Sequence, residues 1–231
     1  NTIVRNCLFT ADNAGPSSPS YASITAYDDV SSSTLVYDCT FESSTGTVYA
    51  KNGIQGRDIS VFRCDISGYV DGIGLQGENG RVEGCWIHDL VWFAWDPAQS
   101  DGSHNDGIQI HNGTNHVVRG NSIEMGYETT SCVLVAQDGG VATSNVTIDR
   151  NWFISTWPTK ASACAVGVNI SASGLGTAMT GMVLTDNQFS AYGLFSSNHS
   201  ALITGTTYDL PPTVSGNVNV GTATAAKITR G

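Results

Sequence analysis

The sequence predicts an all-β solenoid of about eight coils, and three observations carry that reading. One is a recurring unit, V-x-x-N-x-I at Val118, Asn121 and Ile123, in which Cys replaces Asn through the N-terminal half. Another is a column of alternating apolar residues upstream of each unit, with the period of two that a strand requires. The third is composition: 13% of residues are charged and the chain is rich in Gly, Ser, Thr, Asn and Val, which gives no support to long amphipathic helices.

The unit occurs as Val4-Cys7-Phe9, Val36-Cys39-Phe41, Val61-Cys64-Ile66, Val82-Cys85-Ile87, Val118-Asn121-Ile123, Ile148-Asn151-Phe153 and Leu184-Asn187-Phe189, and more weakly as Val214-Asn217. Successive starts lie 32, 25, 21, 36, 30, 36 and 30 residues apart. A fixed pattern with variable spacing is what stacked turns produce, because each turn contacts only its neighbours and insertions go outward. The upstream column reads Ile24 and Ala26, Val48 and Ala50, Ile73 and Leu75, Ile108 and Ile110, Leu134 and Ala136, and Val166 and Val168. Each coil is therefore expected to hold a first strand, a turn, a second strand, the Cys or Asn position, a short third strand and a loop. Asn52-Gly53, Gln55-Gly56 and Asn79-Gly80 read as turns with positive φ.

With Asn121, Asn151, Asn187 and Asn217 stacked after the second strand, the chain resembles the pectate-lyase-like right-handed parallel β-helix superfamily. The resemblance implies one β-helix domain over residues 1–217 with an Asn/Cys ladder, and a binding cleft on the first-strand sheet. Residues 218–231 read as a loose strand or linker. The resemblance carries over no activity, because the catalytic motifs of pectate lyases and polygalacturonases are absent and many chemistries use this scaffold.

A net charge of -10 argues against nucleic acid or an anionic membrane surface as partner. The longest apolar candidate, Leu90 to Trp95, is far short of a membrane span. The start at Asn1, inside a second strand, reads as a processed or cut N-terminus, and open strand edges at both ends call for more chain or a homo-oligomer to cover them. Cys7, Cys39, Cys64 and Cys85 stack at the Asn position about 4.8 Å apart, where free thiols serve as small core residues more readily than disulfides, whose torsion parallel side chains seldom reach. Cys132 and Cys164 read as equivalent in adjacent coils, and a disulfide between them is one of two open alternatives. No zinc spacing occurs.

The outward first-strand residues are expected in two rows, Tyr27, Lys51, Gln76, His111, Gln137, Asn169 and Thr25, Tyr49, Gly74, Gln109, Val135, Gly167. The longest insertion, residues 88–105, brings Trp92 and Trp95 to this side, and Trp157, Tyr192 and Phe195 follow on later loops. A polar ladder beside tryptophans suits a linear polysaccharide, with Trp92, Trp95, Gln76, Gln109, Lys51 and Gln137 as contacts; a solvated sheet face is the plain alternative. Asp71 and Asp106, each followed by Gly-Ile, fall at equivalent positions of successive coils, either as turn caps or as an interacting carboxyl pair. With Asp101 they can supply the two carboxyls of a glycoside hydrolase, with His104 and His111 assisting. A lyase would need a base and a cation, and Lys51 is the only cation in the expected rows. No cofactor is expected, with calcium between Asp71, Asp106 and loop carboxylates as the open exception. The expected protein is thus a secreted or virion-borne glycan-processing β-helix, hydrolase before lyase, and the competing class is a non-catalytic fibre, adhesin or tail-like binding element.

Overall fold

A computed structural model describes residues 2–11, 22–27, 33–43, 51–94, 100, 102–126, 130–155, 166–170, 179–190, 200–204, 213–220 and 228–230. Three eight-stranded parallel sheets run the length of the molecule, and the chain visits them in rotation, one strand of each per coil. This is the expected right-handed parallel β-helix.

The three sheets enclose one core because each contributes a continuous apolar line. Second strands stack Val4, Val36, Val61, Val82, Val118, Ile148, Leu184 and Val214. Third strands stack Phe9, Phe41, Ile66, Ile87, Ile123, Phe153 and Phe189, and the eighth rung is Asn219. Phe9 lies flat on Phe41 with centroids 4.6 Å apart. Within residues 218–231, expected as a loose strand or linker, Val218–Val220 and Ile228–Arg230 extend the third- and first-strand sheets.

Between second and third strands runs the ladder. The residue before each ladder position takes a left-handed backbone in all eight coils, from Asn6 (φ 52) through Arg63 (φ 50) and Gly120 (φ 63) to Gly216 (φ 68). This turn aims the next side chain along the helix axis. Asn151 is the pattern: its Oδ1 accepts from Asn121 N at 3.0 Å and Asn121 Nδ2 at 2.9 Å, and its Nδ2 donates to Val118 O at 3.0 Å and Asn187 Oδ1 at 2.9 Å. Two of these four bonds satisfy backbone groups the turn would strand, and the other two link amide to amide along the ladder. The cysteines make only sulfur contacts, such as Cys39 Sγ to Tyr37 O at 3.3 Å, and Cys7, Cys39, Cys64 and Cys85 are free thiols, as the torsion argument favoured.

The first strands correct the expected register. Thr25 pairs with Gln55, Gln55 with Gly74, Gly74 with Gln109, and Gln109 with Leu134. Ile54, Val133, Val135 and Ile170 point inward, so Leu134 lies outside and Asn52-Gly53 and Gln55-Gly56 belong to the strand Asn52–Arg57, with neither glycine at positive φ. Val48, Tyr49 and Ala50 lie outside the described residues. Gln137 is displaced from the outer row by the same shift and is buried at 1% exposure. Cys132 stands level with Gly167, since Ser131 pairs with Val166 and Val133 with Val168; Cys164 lies outside the described residues.

Candidate functional site

In each of the first four complete first strands, two consecutive residues face the core. A methyl group on Gly107 would stand 2.5 Å from Ile123 Cγ2, and one on Gly53 2.8 Å from Ile66 Cγ2, so these glycines look inward along with Ile108 and Ile54 beside them. The strand bends there, and the preceding residue is thrown to the outer face. Asn52, Asp71, Asp106 and Ser131 form that outer column. The Asp-Gly-Ile motif is thus a bend in a strand, with glycine required by lack of space, and not a capped turn.

The insertion covers this column. Asn105 is its clamp: Nδ2 donates to Val70 O at 2.8 Å and to Val91 O at 2.7 Å, Oδ1 accepts from Ser103 Oγ at 2.6 Å, and its carbonyl receives Thr130 N at 2.8 Å. Phe93 packs with Val70 and Val91 beneath. Asp71 and Asp106 are consequently 1% exposed each. Asp71 Oδ1 accepts Asp106 N at 2.9 Å; Asp106 Oδ1 takes the Ser131 hydroxyl, and its Oδ2 takes Gln109 Nε2 at 2.9 Å. Burial pushes the Asp106 carboxyl up to about 6, against the pull of the Gln109 and Ser131 bonds and of nearby His104. Neither aspartate presents a surface to solvent, which removes the expected direct acid–base role from Asp106 and Asp71.

A groove of about 500 Å³ opens beside the column, lined by Thr25, Tyr27, Lys51, Asn52, Gln55, Gln76, Gln109 and His111. Of the expected contacts, Gln76, Gln109, Lys51 and His111 are here. Trp92 is not among its lining residues: it packs on Gly102, where a methyl group would meet its indole at 2.5 Å. Trp95 and Asp101 lie outside the described residues, as do Trp157, Tyr192 and Phe195. His104 is exposed on the insertion and also does not line the groove. Arg57, not Lys51, is level with Gln76, so the first-strand sheet carries a second cation.

Two side chains in the groove have their orientation fixed. His111 Nδ1 lies 2.8 Å from Asp138 Oδ2; with the carboxylate accepting, the neutral ring is the tautomer with the proton on Nδ1 and the lone pair on Nε2. Nε2 points across Gly74, 3.3 Å from where a methyl group there would sit. Tyr27 reaches over the intervening strand to place its hydroxyl 3.4 Å from Gln76 Nε2, in the coil next to His111. Burial raises the Tyr27 phenol, offset in part by the Gln76 bond, so it is protonated at neutral pH. Asp138 was not visible as a partner from sequence because it follows the strand by a short 3-10 turn, Asp138–Gly140, whose position depends on the corrected register. Among the described residues no group of three or more His, Cys, Asp or Glu comes together to hold a metal ion.

Fold and groove together define a parallel β-helix protein with a polar cleft on its first-strand sheet. The chain belongs to the right-handed β-helix family, residues 27–208 matching the right handed beta helix region. Among solved structures it is similar to the alginate lyase from Paenibacillus sp. str. FPU-7, with 14% identity, a TM-score of 0.50, and coverage of 99% of this chain and 88% of that one. A weaker likeness, 9% identity and a TM-score of 0.29 over 99% of this chain and 61% of the other, is to the catalytic domain of a GH87 alpha-1,3-glucanase in complex with tetrasaccharides. The first likeness is one of fold. No curated protein sequence matches the chain.

Proposed function

We propose that the groove binds a linear polysaccharide containing uronic acid and cleaves it by β-elimination. The observation that carries this reading is the lining: four carboxamides, an oriented imidazole, a protonated phenol and a lysine, with no carboxylate. Asn52 and Gln55 of one strand, Gln76 of the next and Gln109 of the one after each offer a donor and an acceptor, as a run of sugar hydroxyls requires. Hydrolysis calls for two carboxyls astride the bond; Asp71 and Asp106 are sealed, and Asp101 lies outside the described residues.

Elimination needs a base, an acid and a cation. His111 Nε2 takes the proton on the carbon next to the uronate carboxylate, and Lys51, elsewhere in the groove lining, offsets the charge of the polymer's carboxylates. The electron pair released forms the ring double bond, the bond to the 4-oxygen breaks, and the Tyr27 hydroxyl delivers a proton to the departing oxygen. Asp138 acts as a positioning residue, holding the tautomer. The overall charge of -10 opposes a polyanion only weakly at this site, because charges beyond about 8 Å are screened at physiological salt.

The test is incubation with alginate and with a neutral glucan, following reducing ends and the ultraviolet absorbance of unsaturated uronate together. Elimination raises both on alginate, with His111→Asn slower by about 10² to 10⁴. Reducing ends without absorbance would replace the proposal with hydrolysis, and binding without either product would replace it with a recognition role.

A further inference from the structure

The third-strand sheet forms a different face of the helix, and on it two tryptophans are exposed, Trp86 at 44% and Trp152 at 47%. Outward apolar residues of this size are ordinarily scattered, and singly they mean nothing. These two hold the same pose. Trp86 pairs with Ser122 of the next coil and donates Nε1–H to Glu124, two residues on, at 3.1 Å; Trp152 pairs with Gln188 and donates Nε1–H to Ser190, again two residues on, at 2.9 Å. Each indole is therefore held by its polar edge in the same way, which reduces the side-chain freedom lost on binding.

The interval is the second observation. Trp86, Ser122 and Trp152 occupy one row in three successive coils, so the indoles are two coils apart, roughly 9.6 Å at about 4.8 Å a coil. Ser122 is too small to fill the space between them. A shallow cavity of about 370 Å³ lies along the row on both sides of Trp152, with Ser122, Arg150, Asp186 and Gln188 in its lining. Two exposed indoles two coils apart, with hydrogen-bonding groups beside them, match a chain that presents an apolar ring face at every second unit and hydroxyls between. An extended pyranose chain has that form.

We propose that Trp86 and Trp152 form a second polysaccharide-binding strip on the third-strand sheet, apart from the groove, which holds a distant stretch of the same polymer while the groove works on another. The chemical class of the ligand rests on the polysaccharide reading of the groove; the strip itself does not use any groove residue. His88, two residues on along the same strand, stacks on one face of Trp86 with centroids 3.7 Å apart and supports the ring.

The experiment is affinity electrophoresis through gels containing alginate or a neutral glucan, with three proteins: the native chain, Trp86→Ala with Trp152→Ala, and Gly74→Val, which fills the groove floor beside His111. Near-UV-independent checks of fold, by far-UV dichroism and denaturant midpoint, accompany each. Expected is at least a tenfold weaker apparent affinity in the tryptophan variant with cleavage of short oligosaccharides unchanged, while Gly74→Val stays retarded but loses cleavage. Retardation that survives loss of both tryptophans and disappears in Gly74→Val overturns the strip and leaves the groove reading intact. Absence of both retardation and product in the native protein overturns both. A native protein that self-associates, loses this with the tryptophans and shows no retardation makes the face a protein interface and also overturns the strip.

Discussion

Replacing Asp106 with Asn isolates one buried charge. In the fold this carboxyl titrates near 6, against an ordinary value of 3.8. Between those values the native protein holds a proton that the unfolded chain has lost, so stability falls as pH rises through the window and is level on either side. At 1.36 kcal/mol per pH unit the fall is about 3 kcal/mol. Asn is neutral throughout, and its shape keeps both partners: the oxygen still accepts one donor, and the Gln109 amide turns to present its oxygen to the new nitrogen. Denaturant midpoints measured from about pH 4 to pH 7 on both proteins should therefore diverge, the native chain losing about 3 kcal/mol relative to Asp106→Asn as pH rises. All other groups titrate in both and cancel in the difference. Parallel profiles, or a native chain that gains relative stability as pH rises, would refute the account of Asp106 as a charge buried under the insertion.

Asn151→Ala leaves Asn121 N–H and Val118 O without their partners and should lower stability by about 3 to 5 kcal/mol in a denaturant titration. Gly107→Ala should cost about 2 kcal/mol or more in the same assay because a methyl group has no room, whereas Gly120→Ala, with open space but φ 63, should cost about 1 kcal/mol; the reverse order would mean that backbone freedom, not space, selects Gly107. His88 is held above its ordinary value because its bonds to Asp89 and Asp65 outweigh the effect of burial. Its contribution to stability is full below about pH 6.5 and is lost as pH rises through the raised folded value, and His88→Gln should flatten that slope. Asp138→Asn should slow cleavage by loosening the orientation of His111 while changing the stability by no more than about 0.5 kcal/mol, read from a denaturant titration, since both partners are partly exposed.

The fold was legible because its two strongest signals are local and repeated. Val-x-x-[Cys/Asn]-x-apolar needs only six residues of context, and the pattern survives insertions of any length. The first strands were harder. Val48-Tyr49-Ala50-Lys51 alternates well and drew the second coil out of register, when the triplets Asn52-Gly53-Ile54, Asp71-Gly72-Ile73 and Asp106-Gly107-Ile108 were the true markers. A period of two cannot find a strand that bends, because at the bend two neighbours face the same way. The site inherited that error: Gln76, Gln109 and His111 were placed in the groove by sequence, but Gln137 was carried inward, and the aspartates followed by Gly-Ile went under a lid whose path no periodicity encodes. Asp138 pairs with His111 across one coil, a contact that only the corrected stacking reveals.

The change of ladder residue along the axis has a mechanical meaning. From Asn151 to Asn217 every amide grips the coil behind it through three bonds, and Asn121 grips its own through two, so these coils share load and polarise one another in one direction. From Cys7 to Cys85 the corresponding side chains offer long sulfur contacts, 3.1 to 3.9 Å, that resist little. The rod is graded in stiffness: pulled along its axis, it opens from the cysteine end, coil by coil, and the asparagine end stays wound.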